Sequence, residues 1–267
     1  MDLQLEGKRA LVTGGSRGIG KAIARVLAEE GADVALLARN TQTLAAAAAV
    51  IAAATGRRVI GVVGDTTSDT QTREAIAQAV QQLGGSIDIL VNAAAEPAGF
   101  AGPPKLQQIS GEYFHAEMDT KVMGYIRCAR EVVDGMRAQG WGRIVNSSGL
   151  AARQSGSAVG SMRNIAVAAL TKNMADELGP AGIQVTVVHP GLTRTERTAP
   201  LVADRAREQG VAESAIEAQM AAGNSIQHLV TAEEVADVVA FLCSPKSRAI
   251  NGDAIAAGGG APRSIHY

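Results

Sequence analysis

Gly14, Gly18 and Gly20 stand within Leu-Val-Thr-Gly-Gly-Ser-Arg-Gly-Ile-Gly at residues 11–20, a spacing suited to holding a nucleotide pyrophosphate. Gly14 permits a tight turn, Gly18 lets backbone approach phosphate oxygens, and Gly20 lets a helix lie close to the strand before it. Free N–H groups in the first turn of that helix would face the anion. This chemistry needs a strand before the turn and a helix after it. Residues 10–12 are apolar, and residues 18–30 place Ile19, Ile23, Val26 and Leu27 on one helical face.

The remaining elements follow the same alternation. Strand-like runs at residues 8–12, 33–38, 58–63, 87–92, 142–147, 184–189 and 253–256 are separated by segments of helix length or more. They predict an α/β fold: a doubly wound parallel sheet of about seven strands with helices on both faces. The strand carrying the glycine turn then neighbours the strand ending at Asn92, and ligand is expected at their carboxyl ends. Residues 44–54 read as an alanine-rich surface helix. Two segments are irregular. Residues 96–109, with Pro97, Gly99, Gly102, Pro103 and Pro104, form a loop beside the site, and residues 191–230 suit a lid with helix between Leu201 and Met220. Residues 1–267 are read as a single domain.

Composition narrows the partners. A hydrophobic content of 46% supports a substantial core, and a net charge of −1 offers no basic field for nucleic acid or an anionic membrane, which favours a small-molecule substrate. Cys128 and Cys243 lack redox or ligand spacing, and reduced thiols fit a cytoplasmic protein. Residues 1–9 carry charge where a signal peptide needs an apolar run, so no cleaved leader is expected. His115, His189, His228 and His266 are scattered, and no metal site is expected.

In four pieces taken in order, the chain resembles the short-chain dehydrogenase/reductase family. Residues 13–20 match its Thr-Gly-x-x-x-Gly-x-Gly, and residues 142–148 (Gly-Arg-Ile-Val-Asn-Ser-Ser) resemble its catalytic-serine strand. Pro190-Gly191 follows the sixth strand, and residues 251–259 resemble the carboxyl-terminal strand. The resemblance implies a Rossmann fold and a bound nicotinamide dinucleotide held by Gly14, Ser16, Arg17, Gly18, Ile19, Gly20, Pro190 and Gly191. It assigns adenine contact to Asp65 with Thr66, carboxamide contact to Thr195, and a cofactor-side place to Asn92. NAD-selecting enzymes carry an acid after the second strand, whereas this chain has Arg39 there and Arg17 in the turn, two guanidinium groups suited to a 2′-phosphate. NADP(H) is therefore the expected cofactor.

The catalytic positions depart from the family pattern. Its tyrosine falls on Gly160 and its lysine, four residues on, on Asn164; the tyrosines present are Tyr113, Tyr125 and Tyr267. The family asparagine falls on Lys121, and its Asn-Asn-Ala-Gly reads Asn92-Ala93-Ala94-Ala95. Ser147 and Ser148 are both candidates for the serine, with the choice left open by spacing. Lys121 could act as acid or base, with Tyr125 one helical turn on. Asn164 could bond the nicotinamide ribose, and Ser161 and Arg163 could contact substrate or cofactor. His189 is either a base or a strand-end histidine facing away.

The expected function is an NADP(H)-dependent oxidoreductase of a small alcohol or carbonyl compound with a non-standard site. The alternative is a catalytically silent NADP(H)-binding sensor or structural subunit, and a third reading is a non-redox lyase or dehalogenase-like enzyme. The resemblance also implies a homodimer or homotetramer, built through helices near residues 111–139 and 157–178.

Overall fold

The computed structural model describes residues 1–95 and 102–262. Pro97 and Gly99 of the first irregular segment, and His266 and Tyr267, lie outside the described residues. Seven strands, β1 (Arg9–Thr13), β2 (Asp33–Ala38), β3 (Val59–Val63), β4 (Ile89–Asn92), β5 (Gly142–Ser147), β6 (Ile183–Pro190) and β7 (Ala254–Ala257), form one sheet. Their order is β3-β2-β1-β4-β5-β6-β7, and every pairing is parallel.

Helices cover both faces, so the central strands read as apolar runs. The pleat sends Ala10 and Val12 against α1 (Gly18–Glu29), α2 (Thr41–Thr55) and α9 (Ala232–Cys243). Leu11, between them, packs on the opposite layer of α3 (Asp69–Leu83), α5 (Gly124–Gln139) and α6 (Ala158–Leu178). The connections from β1 and from β4 leave on opposite faces. A crevice therefore opens at the carboxyl ends of these two strands, where Thr13 pairs with Asn92. The Thr13 hydroxyl accepts from the backbone N–H of Ala93 (3.0 Å) and of Ala94 (3.1 Å), pinning the chain that leaves β4.

Beyond shifts of a residue at the ends of β1, β3, β6 and β7, three details differ from the sequence expectation. The fourth strand starts at Ile89 instead of 87; just before it the Asp88 carboxylate accepts from the Arg9 backbone N–H (2.8 Å) and Nε (3.0 Å). The alanine-rich helix is only half at the surface: α2 buries Leu44, Ala47, Ala48 and Ile51 on one face. The segment 191–230 carries two helices, α7 (Thr198–Gln209) and α8 (Glu213–Ala221), with Gly210 turning the chain between them. Val202, Ala206, Ile216, Met220 and Leu229 form their own small cluster. Before α5 lies α4 (Gly111–Met118), joined to it through a π-helical turn, Asp119–Met123.

Gly14 and Gly56 share φ +69°, yet a Cβ on Gly14 would lie 2.9 Å from the Ala93 carbonyl oxygen whereas one on Gly56 meets nothing within 4 Å. Gly56→Ala should cost about 1 kcal/mol, the penalty of a left-handed alanine. Gly14→Ala should cost distinctly more, because the backbone must also separate. Urea unfolding of both variants checks the difference.

Candidate active site

The glycine turn closes on itself tightly: a Cβ on Gly20 would fall 2.4 Å from the Gly14 carbonyl oxygen. Arg17 enters α1 extended, with φ −161°, and supplies no side-chain cap. Donors of the first helical turn are thus left to partners outside the helix. One of them, the Gly18 N–H, donates to the Glu196 carboxylate at 2.8 Å. This cradle of glycine backbone at a helix N-terminus fits a pyrophosphate.

The cradle forms one end of a cavity of about 820 Å³. Gly14, Ser16, Arg17, Gly18, Ile19 and Gly20 line it, as do Arg39 after β2, Asp65 and Thr66 after β3, and Pro190, Gly191 and Thr195 after β6. Asp65 Oδ1 accepts from the Thr67 backbone N–H (3.0 Å) and hydroxyl (2.9 Å), which shapes the turn that holds it at the wall. Asn92 departs from its expected place and is not among the lining residues. It is fully buried, and its Nδ2 donates to Asn146 Oδ1 (2.9 Å). Asn146 Nδ2 in turn donates to the Thr171 hydroxyl (2.9 Å), which donates to the Val167 carbonyl (2.8 Å). This polar chain runs from β4 through β5 into α6, so the pleat directs Asn92 inward.

At the other end, the π-helical turn carries Lys121 inward. A backbone bond from the Gly124 N–H to the Asp119 carbonyl closes the wide turn. Lys121 is buried but lines the cavity, and its Nζ donates to the Ser148 carbonyl (2.8 Å) and to Asn164 Oδ1 (3.2 Å). Burial pushes its pKa down to about 7, with the Arg163 charge adding to the effect and Glu117 opposing it. Arg163 pairs with Glu117 where α6 faces α4, and both side chains are largely buried. An ammonium has three donors. Two serve the protein's own oxygens, the Ser148 carbonyl and the Asn164 carboxamide.

Both serines line the cavity: the Ser148 hydroxyl donates to the Asn164 carbonyl (3.0 Å), and the Ser147 backbone carbonyl accepts from the Tyr125 hydroxyl (2.7 Å). Burial raises the Tyr125 phenol well above its usual range, so it is a structural donor at neutral pH. Gly149 and Gly160 line the cavity without side chains: a Cβ on Gly149 would come 3.1 Å from Asn164 Nδ2. A Cβ on Gly160 would meet the Ser157 hydroxyl at 2.6 Å, the group that caps α6 by accepting the Gly160 N–H. Ser161 is not a lining residue; its hydroxyl donates to the Gln154 carbonyl (2.9 Å). His189 is buried outside the lining, its Nδ1 accepting from the Gly149 N–H at 3.4 Å.

These elements have counterparts among known proteins. A family model described as Enoyl-(Acyl carrier protein) reductase matches residues 14–261. The short-chain reductase protein NovJ of Streptomyces niveus is 34% identical over 254 residues, spanning 95% of this chain and 93% of that protein. The chain belongs to the short-chain dehydrogenase/reductase family. A further relative, the NADPH-dependent reductase BacG of Bacillus subtilis, is 30% identical over 97% of this chain and 99% of its own. Among solved structures, L-sorbose reductase from Gluconobacter frateurii, complexed with NADPH and L-sorbose, superposes with a TM-score of 0.91 at 29% identity. That alignment covers 99% of this chain and 100% of the other.

Two members of the site in this short-chain dehydrogenase/reductase escape sequence reasoning. Glu117 sits one helical turn before Lys121, a spacing that was legible, but its pairing with Arg163 requires α4 and α6 to be brought together. Glu196 lies 178 residues from Gly18 in a segment without a readable motif.

Lys121 also supplies a stability test. Its folded pKa of about 7 lies below the ordinary 10.5, so between these values the unfolded chain holds a proton that the folded chain lacks. Stability is therefore expected to rise with pH across that window, by up to about 1.4 kcal/mol per pH unit from this group. Lys121→Met should remove that component. Urea melts of both proteins at pH 7.5 and pH 9 give the difference.

Proposed function

We propose that this protein is an NADP(H)-dependent oxidoreductase interconverting a small carbonyl compound and its alcohol, with Lys121 as proton donor and acceptor. The observation carrying this reading is a buried lysine that lines the cavity with two of its donors fixed by Ser148 and Asn164. The glycine cradle would hold the pyrophosphate, and Arg17 and Arg39 would take the 2′-phosphate. Asp65 and Thr66 would border the adenine, while Thr195 and Asn164 would meet the nicotinamide and its ribose. NADP(H) chemistry supplies hydride to the carbonyl carbon or removes it from the alcohol carbon. As the carbonyl carbon gains hydride, its oxygen takes a proton from the third N–H of Lys121, leaving a neutral amine that solvent reprotonates. Ser148 and Asn164 aim the ammonium. In the reverse direction the neutral amine takes the alcohol proton.

Residues 1–267 are read as one domain, with 191–230 as a lid that shapes the substrate end through Leu192, Met220 and Asn224, all lining residues. Exposed Met123, Met162 and Ile165, on the π-helical turn and α6, favour a homodimer or homotetramer through these helices. Among the described residues, no helix is long and apolar enough to cross a membrane.

A second reading, a silent NADP(H)-binding protein, is favoured by Gly160 and Asn164 at the family's tyrosine and lysine positions. Turnover separates the two. Lys121→Ala should abolish carbonyl reduction while leaving NADPH affinity nearly unchanged; a fully active variant would remove the role of Lys121. NADPH binding to the unsubstituted protein without turnover across aldehydes, ketones and alcohols would favour the silent reading.

The direction of the pH effect is also fixed. Reduction needs the ammonium, so its rate should fall as pH rises through about 7, while alcohol oxidation, which needs the amine, should rise over the same range. Initial rates in both directions from pH 5.5 to 9 test this.

A further inference from the structure

Glu196 holds the anion-binding end of α1 with the protein's own carboxylate. Its Oε1 accepts the Gly18 N–H at 2.8 Å, and Thr195 beside it brings Cγ2 within 3.7 Å of where a Gly18 Cβ would stand. The strap bearing these residues is tied at both ends. Upstream, Arg194 joins the chain before α9, donating to the Val230 carbonyl (2.7 Å) and accepting from the Ala232 N–H (3.1 Å). Its guanidinium pairs with Glu217 on α8 at 3.0 Å. Downstream, the Thr198 hydroxyl accepts the Thr195 N–H (2.9 Å), while the Thr198 N–H donates back to the Thr195 carbonyl (2.9 Å). Glu196 is the exposed residue between these fixed points, and its side chain reaches the glycine turn across 178 residues of sequence.

A helix N-terminus favours negative charge, and a carboxylate satisfies that preference much as a phosphate oxygen does. Two anions cannot share one N–H without repulsion. We propose that Glu196 is an intramolecular competitor of the dinucleotide pyrophosphate, latching the 191–230 segment onto the glycine turn until cofactor displaces it. The inference rests on the assignment of NADP(H) to this cradle. It adds a coupling: releasing Glu196 undoes the strap's tie to the glycine turn, while the ties of Arg194 to α8 and to the chain at α9, and of Thr195 to Thr198, remain.

The test compares NADPH with adenosine 2′-monophosphate, which shares the adenine and 2′-phosphate but has no pyrophosphate. Dissociation constants are measured by nicotinamide fluorescence for NADPH, and by calorimetry for the monophosphate, on the full chain and on Glu196→Gln and Glu196→Ala. NADPH should bind about fivefold more tightly to Glu196→Ala, with Glu196→Gln between, while the monophosphate affinity stays constant. Unchanged or weaker NADPH binding in both variants would overturn the latch, as would equal tightening of both ligands. Failure of the unsubstituted protein to bind NADPH would remove the cofactor assignment, and the latch with it.

Discussion

Four residues of parallel pairing between β1 and β4, from Ala10 opposite Ile89 to Thr13 opposite Asn92, govern the placement of everything else. Here the sheet changes winding direction, and no helix can cover the strand ends. The pairing sets the glycine turn beside the chain leaving β4, and the Thr13 hydroxyl fixes that chain by accepting two backbone donors. Gly14 and Gly20 can then approach their neighbours as closely as they do. The phosphate cradle is thus a product of sheet topology as much as of local sequence.

The other half of the site depends on charge removed from water. Lys121 is held among neutral acceptors, while the nearby Arg163 is compensated by Glu117. Desolvation and the Arg163 charge push a lysine so placed toward the neutral amine, and Glu117 works against that tendency. The balance leaves it poised near neutrality, the condition in which one group can both give and take a proton. Lys121, from the π-helical turn, and Asn164, from α6, hydrogen-bond to each other at 3.2 Å.

Apolar strand-like runs and the glycine spacing were enough to read the sheet, its winding and the cradle, because these follow from local sterics and from burying both faces of each strand. The spans expected for β2 and β5 coincide with the structure. Chemistry at residues reached across tertiary distance was less legible. Asn92 looked cofactor-facing until the pleat placed it against Asn146, and only the packing of α4 on α6 pairs Glu117 with Arg163. The position of Lys121 was readable by alignment with the family pattern. Its inward direction was not, since that depends on a π-helical turn with no compositional signature.

That turn has a consequence for how the protein can change. A wide turn accommodates one residue more than regular α-helix of the same length, and each helical residue advances the chain by about 100° around the axis. Losing one residue from this stretch would let the helix regularise with α4 and α5 in place, so Glu117 would keep Arg163, while the side chains inside the turn, Lys121 among them, would change direction. The inward direction of Lys121 therefore depends on residue count as well as residue identity, and a one-codon deletion that spared the lysine itself would turn it away from Ser148 and Asn164.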